Sequence, residues 1–102
     1  MNFIDLFSGA GGLSEGFIKA GFNPVAHVEI DSNACQTLET RLVFHKLQRE
    51  NQLNFYYDYL LEKISREDFL LKYSNKEISN SVINTAIGGE NNNEIFSAIN
   101  KL

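Results

Sequence analysis

Residues 2–7, Asn-Phe-Ile-Asp-Leu-Phe, intersperse polar positions among Phe, Ile and Leu, a pattern that predicts a buried strand entering a glycine turn. The strand runs into Ser8-Gly9-Ala10-Gly11-Gly12, where the pattern breaks. Leu13, Phe17 and Ala20 then fall on one helical face, with Gly21 placed to end the helix, Phe22 to pack back on Phe17, and Pro24 to stop any continuation. Residues 25–30, Val-Ala-His-Val-Glu-Ile, predict a second strand, and Asp31 or Ser32 is placed to cap a helix running to about Arg49. Strand, helix, strand, helix is a βαβ unit with a right-handed crossover. The glycine turn and the end of the second strand are therefore expected at the same sheet edge, where open α/β sheets form their ligand crevice.

Residues 50–81 change character. Asn51 to Leu61 is aromatic and helical in spacing, and Ser65-Arg66-Glu67-Asp68 resembles a variant capping box opening a second short helix through Phe69, Leu70 and Tyr73. A helical hairpin inserted into the sheet order is expected. Phe55, Tyr56, Tyr59 and Leu60 sit at core-packing spacing without interleaved basic residues, which favours packing over stacking of single-stranded bases. Val82 to Ile87 reads as a third strand or a short helix, ended by Gly88-Gly89, and Asn91-Asn92-Asn93 reads as a polar turn and cap. Glu94-Ile95-Phe96 then begins a terminal amphipathic helix with Ile99 and Leu102 on its apolar side.

A chain of 102 residues, 43% hydrophobic and 22% charged, suffices for one small core. Nine basic against thirteen acidic residues give a formal charge of −4, without the clustered Lys and Arg that a DNA surface requires. Arg41, Lys46 and Arg49 are mixed with Glu39 and Glu50, as on a plain solvated face. The N-terminus shows no signal-peptide pattern, and no apolar run reaches the roughly 20 residues that span a bilayer. A single cysteine excludes an intrachain disulfide framework and suits a reducing interior. A cytoplasmic location and no membrane partner follow as expectations. His27 and His45 have no Cys or carboxylate partners at metal-ligand spacing, so no metal is expected.

The chemistry concentrates at the first turn and at Glu29, twenty residues after Gly9. Glycines let backbone approach a ligand, and an acidic residue closing the next strand is placed to accept hydrogen bonds from ribose hydroxyls. A cofactor with an adenosine portion fits. The dinucleotide fingerprint wants a third glycine where Ser14 stands, and a P-loop wants Lys where Phe17 follows Gly16.

Asp5-Leu6-Phe7-Ser8-Gly9-Ala10-Gly11-Gly12-Leu13, with Gly16-Phe17 and Ala20-Gly21-Phe22, resembles the opening motif of the DNA (cytosine-5) methyltransferases. Val28-Glu29-Ile30-Asp31 with Ala34 resembles their second motif, and the likeness covers about residues 2–42. It implies an α/β fold, a partial Rossmann-like methyltransferase sheet with a helical insertion, binding S-adenosylmethionine and yielding S-adenosylhomocysteine. By the same resemblance Phe7 and Ile30 lie against the adenine, Ser8, Gly9, Ala10, Gly11, Gly12 and Leu13 meet the methionine portion, and Glu29 takes both ribose hydroxyls. Asp31 either caps the helix or touches the ligand. Asp5 lies near the cofactor's amino group, supports the turn or plays a structural hydrogen-bonding part. The family's acidic residue after the third strand has no clean match.

The family's enzymes are several times longer, so the chain is expected to be their N-terminal portion: a cofactor half-site at 1–49, an insertion at 50–81, and a third strand or turn with a terminal helix at 82–102. In the family a Pro-Cys-Gln cysteine attacks a flipped-out cytosine and a Glu-Asn-Val motif holds the base. Neither motif is present, and Cys35, preceded by Ala34 inside the second predicted helix, reads as a small buried apolar residue. No catalytic residue is assigned. The fragment is expected to be inactive alone, with DNA met through parts outside these residues. Two other readings remain: a module that associates with itself or with a complementing chain, because a sheet cut after three strands leaves an edge uncovered, and a piece of an NAD-dependent oxidoreductase.

Overall fold

Three parallel strands and six helices account for the chain in a computed structural model that describes residues 1–102. In chain order they are β1 (Asn2–Asp5), α1 (Gly12–Lys19), β2 (Asn23–Glu29), α2 (Ser32–Arg49), α3 (Leu53–Leu60), α4 (Arg66–Tyr73), α5 (Lys76–Ser81), β3 (Val82–Asn84) and α6 (Asn91–Asn100). The strand order is β1-β2-β3, so β2 is central and lies parallel to both neighbours. Ala26, His27 and Val28 are consecutively buried, the signature of a strand covered on both faces. Parallel pairing brings the C-terminal ends of β1 and β2 to one edge, which is where the glycine turn leaves β1.

Pro24 lies inside β2, not ahead of it as the sequence suggests. It has no N–H for the ladder, and the β1–β2 register shifts there: Phe3 pairs with Pro24 while Ile4 pairs with Ala26, skipping Val25. β1 is also shorter than residues 2–7, since the chain bends at Leu6 and the Ser8 hydroxyl donates to the Asp5 carbonyl at 2.9 Å.

The helix ends explain why the connections stay short. Gly21 takes the left-handed conformation after α1 (φ 94°), the Gly21 and Phe22 amides donate to Ile18 and Phe17, and the Phe22 ring meets Phe17 edge-on at 5.6 Å. The same stop recurs after α2, with Asn51 at φ 59°, and after α3, with Glu62 at φ 60°. Asp31 caps α2 by accepting the Asn33 amide, and Ser65 caps α4 by accepting the Asp68 amide.

The insertion is three helices, not a hairpin: α5 follows α4 after an Asn75 cap that accepts the Ile78 amide. It carries the molecule's own aromatic core. Val43 and Leu47 of α2 and Phe69 of α4 are fully buried, with Phe55, Tyr56, Tyr59 and Tyr73 packed around them. The Phe69 ring meets Tyr56, Tyr59 and Tyr73 at 6.0, 4.9 and 5.3 Å. Leu60, expected in that core, is exposed.

Val82–Asn84 settles as a strand, because its pairing with His27–Glu29 supplies the partner that the sequence pattern alone could not identify. The Asn run is not a turn ahead of the last helix but its first turn, and Asn92 Oδ1 accepts the Gly88 amide at 2.9 Å. Ile95 is the buried residue of α6, while Phe96 and Leu102 remain exposed.

Phe69→Ala is expected to cost about 3–5 kcal/mol, the loss of a buried aromatic plus its cavity, whereas Phe96→Ala should lie within about 0.5 kcal/mol of the parent. Urea denaturation monitored by circular dichroism measures both.

Candidate functional site

The glycine turn leaves the end of β1 and is tied to β2 at two successive residues. The Ser8 amide donates to the Val28 carbonyl at 3.2 Å, and the Gly9 amide donates to Glu29 Oε1 at 2.9 Å. The other carboxylate oxygen, Oε2, accepts the Asp31 amide at 2.8 Å. Glu29 therefore joins the turn after β1 to the turn after β2. These amides, Asp31 first and Gly9 second, outweigh the desolvation that opposes them and hold the Glu29 carboxyl below the usual carboxylate range. Each of its oxygens takes one backbone amide in these bonds, and an ionised carboxylate offers about four lone-pair sites, which leaves acceptor capacity for a ligand.

Two glycines work here for different reasons. Gly9 is left-handed (φ 52°), and a Cβ built there would meet open space, so its contribution is backbone conformation and an unobstructed approach. Gly11 (φ 90°) is buried against α2, where a Cβ would stand 2.7 Å from Leu38 Cδ2. The Gly11 amide closes the turn onto the Ser8 carbonyl at 2.9 Å, and Gly12 opens α1 with free space around it.

The sequence-picked residues differ in exposure. Ser8 is buried, with its hydroxyl spent on the Asp5 carbonyl. Phe7, Leu13 and Ile30 are 81%, 71% and 66% exposed, so the core does not use them. Ala10 also faces solvent, and Asp31 spends one carboxylate oxygen on the α2 cap. Cys35 is 8% exposed, with its thiol 3.4 Å from the Glu29 carbonyl. Burial first, then the nearby Glu29 and Asp31 charges, pushes that thiol up and away from thiolate reactivity.

Two supporting contacts were not legible in the sequence. Asn84, at the end of β3, has one amide orientation that satisfies both its ends: Nδ2 donates to the Ile30 carbonyl at 2.9 Å and the Glu29 carbonyl at 3.2 Å, and its oxygen accepts the Ser32 hydroxyl. It braces the turn that holds Glu29. On α1, Glu15 accepts from His45 of α2 at 2.9 Å, with Arg41 at 3.9 Å. His45 thus has a carboxylate partner thirty residues away, and the pair is a strut between helices. No group of three or more His, Cys, Asp or Glu is placed to hold a metal ion, and no helix is long and apolar enough to cross a membrane. The groove between α2 and α4–α5, lined by Gln36, Glu39, Arg66 and Ser74 among others, shares no residue with the turn.

The family model of C-5 cytosine-specific DNA methylases matches residues 1–86. The type II methyltransferase M.Bpa9945I of Bacillus paralicheniformis is 57% identical over 60 residues, covering 59% of this chain and 14% of that protein. M1.HphI of Haemophilus parahaemolyticus is 38% identical over 65 residues, 64% of this chain and 18% of that protein. M.Sau96I of Staphylococcus aureus is 41% identical over 66 residues, 65% and 15% respectively. The chain spans less than a fifth of the length of these relatives. No solved structure matches.

Substitution at the two glycines should separate their roles. Gly11→Ala is expected to destabilise by about 2–4 kcal/mol, combining left-handed strain with overpacking against Leu38. Gly9→Ala should cost only about 1 kcal/mol, the conformational strain alone. Equal losses in thermal or urea unfolding would contradict the geometry.

Proposed function

Because the chain belongs to the C-5 cytosine-specific DNA methylase family, we propose that its glycine turn and Glu29 form the S-adenosylmethionine half-site of a type II modification methyltransferase. The observation that carries this reading is the Glu29 carboxylate at the end of β2, bonded to the Gly9 amide and still able to accept. The residues present fit the group. Glycines 9 and 12 have open space where a Cβ would stand, Phe7, Leu13 and Ile30 are apolar and exposed, and the Glu29 carboxylate stays ionised.

In this reading Glu29 accepts the ribose hydroxyls and Phe7 with Ile30 flank the adenine. Ser8, Gly9, Ala10, Gly11, Gly12 and Leu13 present backbone to the methionine portion, while Asp31 stabilises the floor through its cap. When bound, the cofactor supplies an activated methyl group on a sulfonium. The chain's own residues bind and orient; none performs covalent chemistry. Cys35 is shut away with its thiol protonated, and the sole proline, Pro24, lies in β2, so these 102 residues contain no Pro-Cys-Gln nucleophile. We accordingly assign residues 1–49 to the half-site, 50–81 to an insertion and 82–102 to a third strand and helix of a partial Rossmann-like sheet. Cytosine in DNA is the substrate of the whole enzyme, and these residues alone should not methylate it.

The outer edge of β1 pairs with no strand, and Ile4 and Leu6 beside it are about half exposed. That edge favours a second reading, in which the sheet is completed by a complementing chain or a second copy.

Calorimetry of the chain against S-adenosylmethionine, S-adenosylhomocysteine and NAD tests the primary reading. Both adenosyl ligands should bind, NAD should not, and Glu29→Gln should weaken binding about ten- to a hundredfold, as expected for loss of a charged acceptor. Preferential NAD binding, or an unchanged affinity in Glu29→Gln, would overturn it.

A further inference from the structure

His27 and Ser14 form a buried pair that the ligand contacts above do not use. They are 1% and 2% exposed, and His27 Nε2 lies 2.7 Å from Ser14 Oγ. The pair joins the two halves of the site: Ser14 stands in the first turn of α1, three residues after Gly11, and His27 stands in β2, two residues before Glu29. α1 has no side-chain cap, since its N-cap is Gly11, so this bond is what side chains contribute to holding its first turn against β2. The other ring nitrogen, Nδ1, is buried without a hydrogen-bond partner. With its proton on Nε2, the neutral ring donates to Ser14 Oγ and leaves Nδ1 only an unused lone pair.

The charged groups acting on the ring come from two elements. Asp5 of β1 stands opposite His27 in the parallel register, and Glu15 follows Ser14 on α1, itself engaged by His45 and Arg41 of α2. β3, the other neighbour of β2, offers Val82, Ile83 and Asn84, none of them ionisable.

We propose that Ser14 and His27 are a positioning couple that holds the first turn of α1, and through it the Gly9–Gly12 turn, at the height over β2 where Glu29 receives the Gly9 amide, making the turn's ligand affinity pH-dependent. A proton taken from solvent onto Nδ1 creates a buried donor with no acceptor. Asp5 is the carboxylate toward which the charged ring is drawn, and a ring displaced that way releases Ser14. Burial lowers the ring's pKa, with Asp5 and Glu15 opposing. The sign follows: the neutral ring's contribution is fully present above its ordinary value of about 6.5 and is lost as pH falls through the lower folded value. Glu29 does not share this window, because its own carboxyl is held below the ordinary carboxylate range.

The affinity half of this proposal rests on the cofactor reading; the coupling half does not, and is tested on the ligand-free chain. NMR follows the His27 ring and the Gly9 amide from pH 8 to 4.5. Both should move with one midpoint below about 6.5, and Ser14→Ala should uncouple them. Calorimetry with S-adenosylhomocysteine at pH 7.5 and at the ring's midpoint should show affinity falling several-fold in the parent. His27→Gln, whose amide nitrogen can replace Nε2 as donor and does not titrate, should bind equally at both pH values. A Gly9 amide indifferent to the ring, a ring that stays neutral until the chain unfolds, or a His27→Gln profile matching the parent's would each overturn the proposal. Absence of binding at both pH values overturns the cofactor reading and the affinity half with it, leaving the coupling to be decided by the resonances.

Discussion

The bond between the Glu29 carboxylate and the Gly9 amide is the constraint on which the site depends. A glycine turn has little of its own to hold it: its residues bring no apolar side chains to bury, and glycine loses more conformational freedom on ordering than any other residue. Here the missing anchorage is supplied from β2. Val28 takes one amide through its carbonyl and Glu29 the next through its side chain, so the turn inherits the rigidity of a central strand buried on both faces. Because the second Glu29 oxygen takes the Asp31 amide, the same carboxylate orders the start of α2. A charge-assisted pair of bonds thus fixes the turn after β1 relative to the turn after β2.

Packing reinforces this from below. Gly11 allows α1 to begin against Leu38 of α2, Asn84 braces the Glu29–Ser32 turn from β3, and Glu15 with His45 ties α1 to α2. The aromatic cluster around Phe69 lies on the far part of α2, among the inserted helices. Its effect on the site is indirect: it steadies a helix of eighteen residues whose N-terminal end Asp31 caps, two residues after Glu29. Phe7, Leu13 and Ile30 stay exposed, outside the buried core.

Local features were readable in the sequence because local chemistry determines them. Gly21 with Phe22 over Phe17, the Asp31 cap and the Ser65 cap each follow from residues within a few positions of one another. Long-range pairs were not. Asn84 meets Ile30 and Ser32 across more than fifty residues, Glu15 meets His45 across thirty, and His27 meets Ser14 through a crossover, and nothing in periodicity marks such partners. Short β3 shows the same limit from another side: three residues carry too little alternation to distinguish strand from helix, and pairing with His27–Glu29 decides the matter. The Asn run misled because a polar cluster reads as a turn, yet Asn92 serves the loop before it while lying in the helix.

Taken together, the family membership, the bracketed Glu29 and the open glycine turn make one coherent proposal, a pre-formed adenosyl-cofactor half-site whose covalent chemistry lies outside these residues. A crystal structure of the chain with S-adenosylhomocysteine tests it most directly. The account predicts ligand at the end of β1 and β2, with ribose hydroxyls at about 2.6–3.2 Å from Glu29 and the amino-acid portion along Gly9–Gly12. Ligand seated elsewhere, or a Glu29 carboxylate turned away from the ribose, would contradict it.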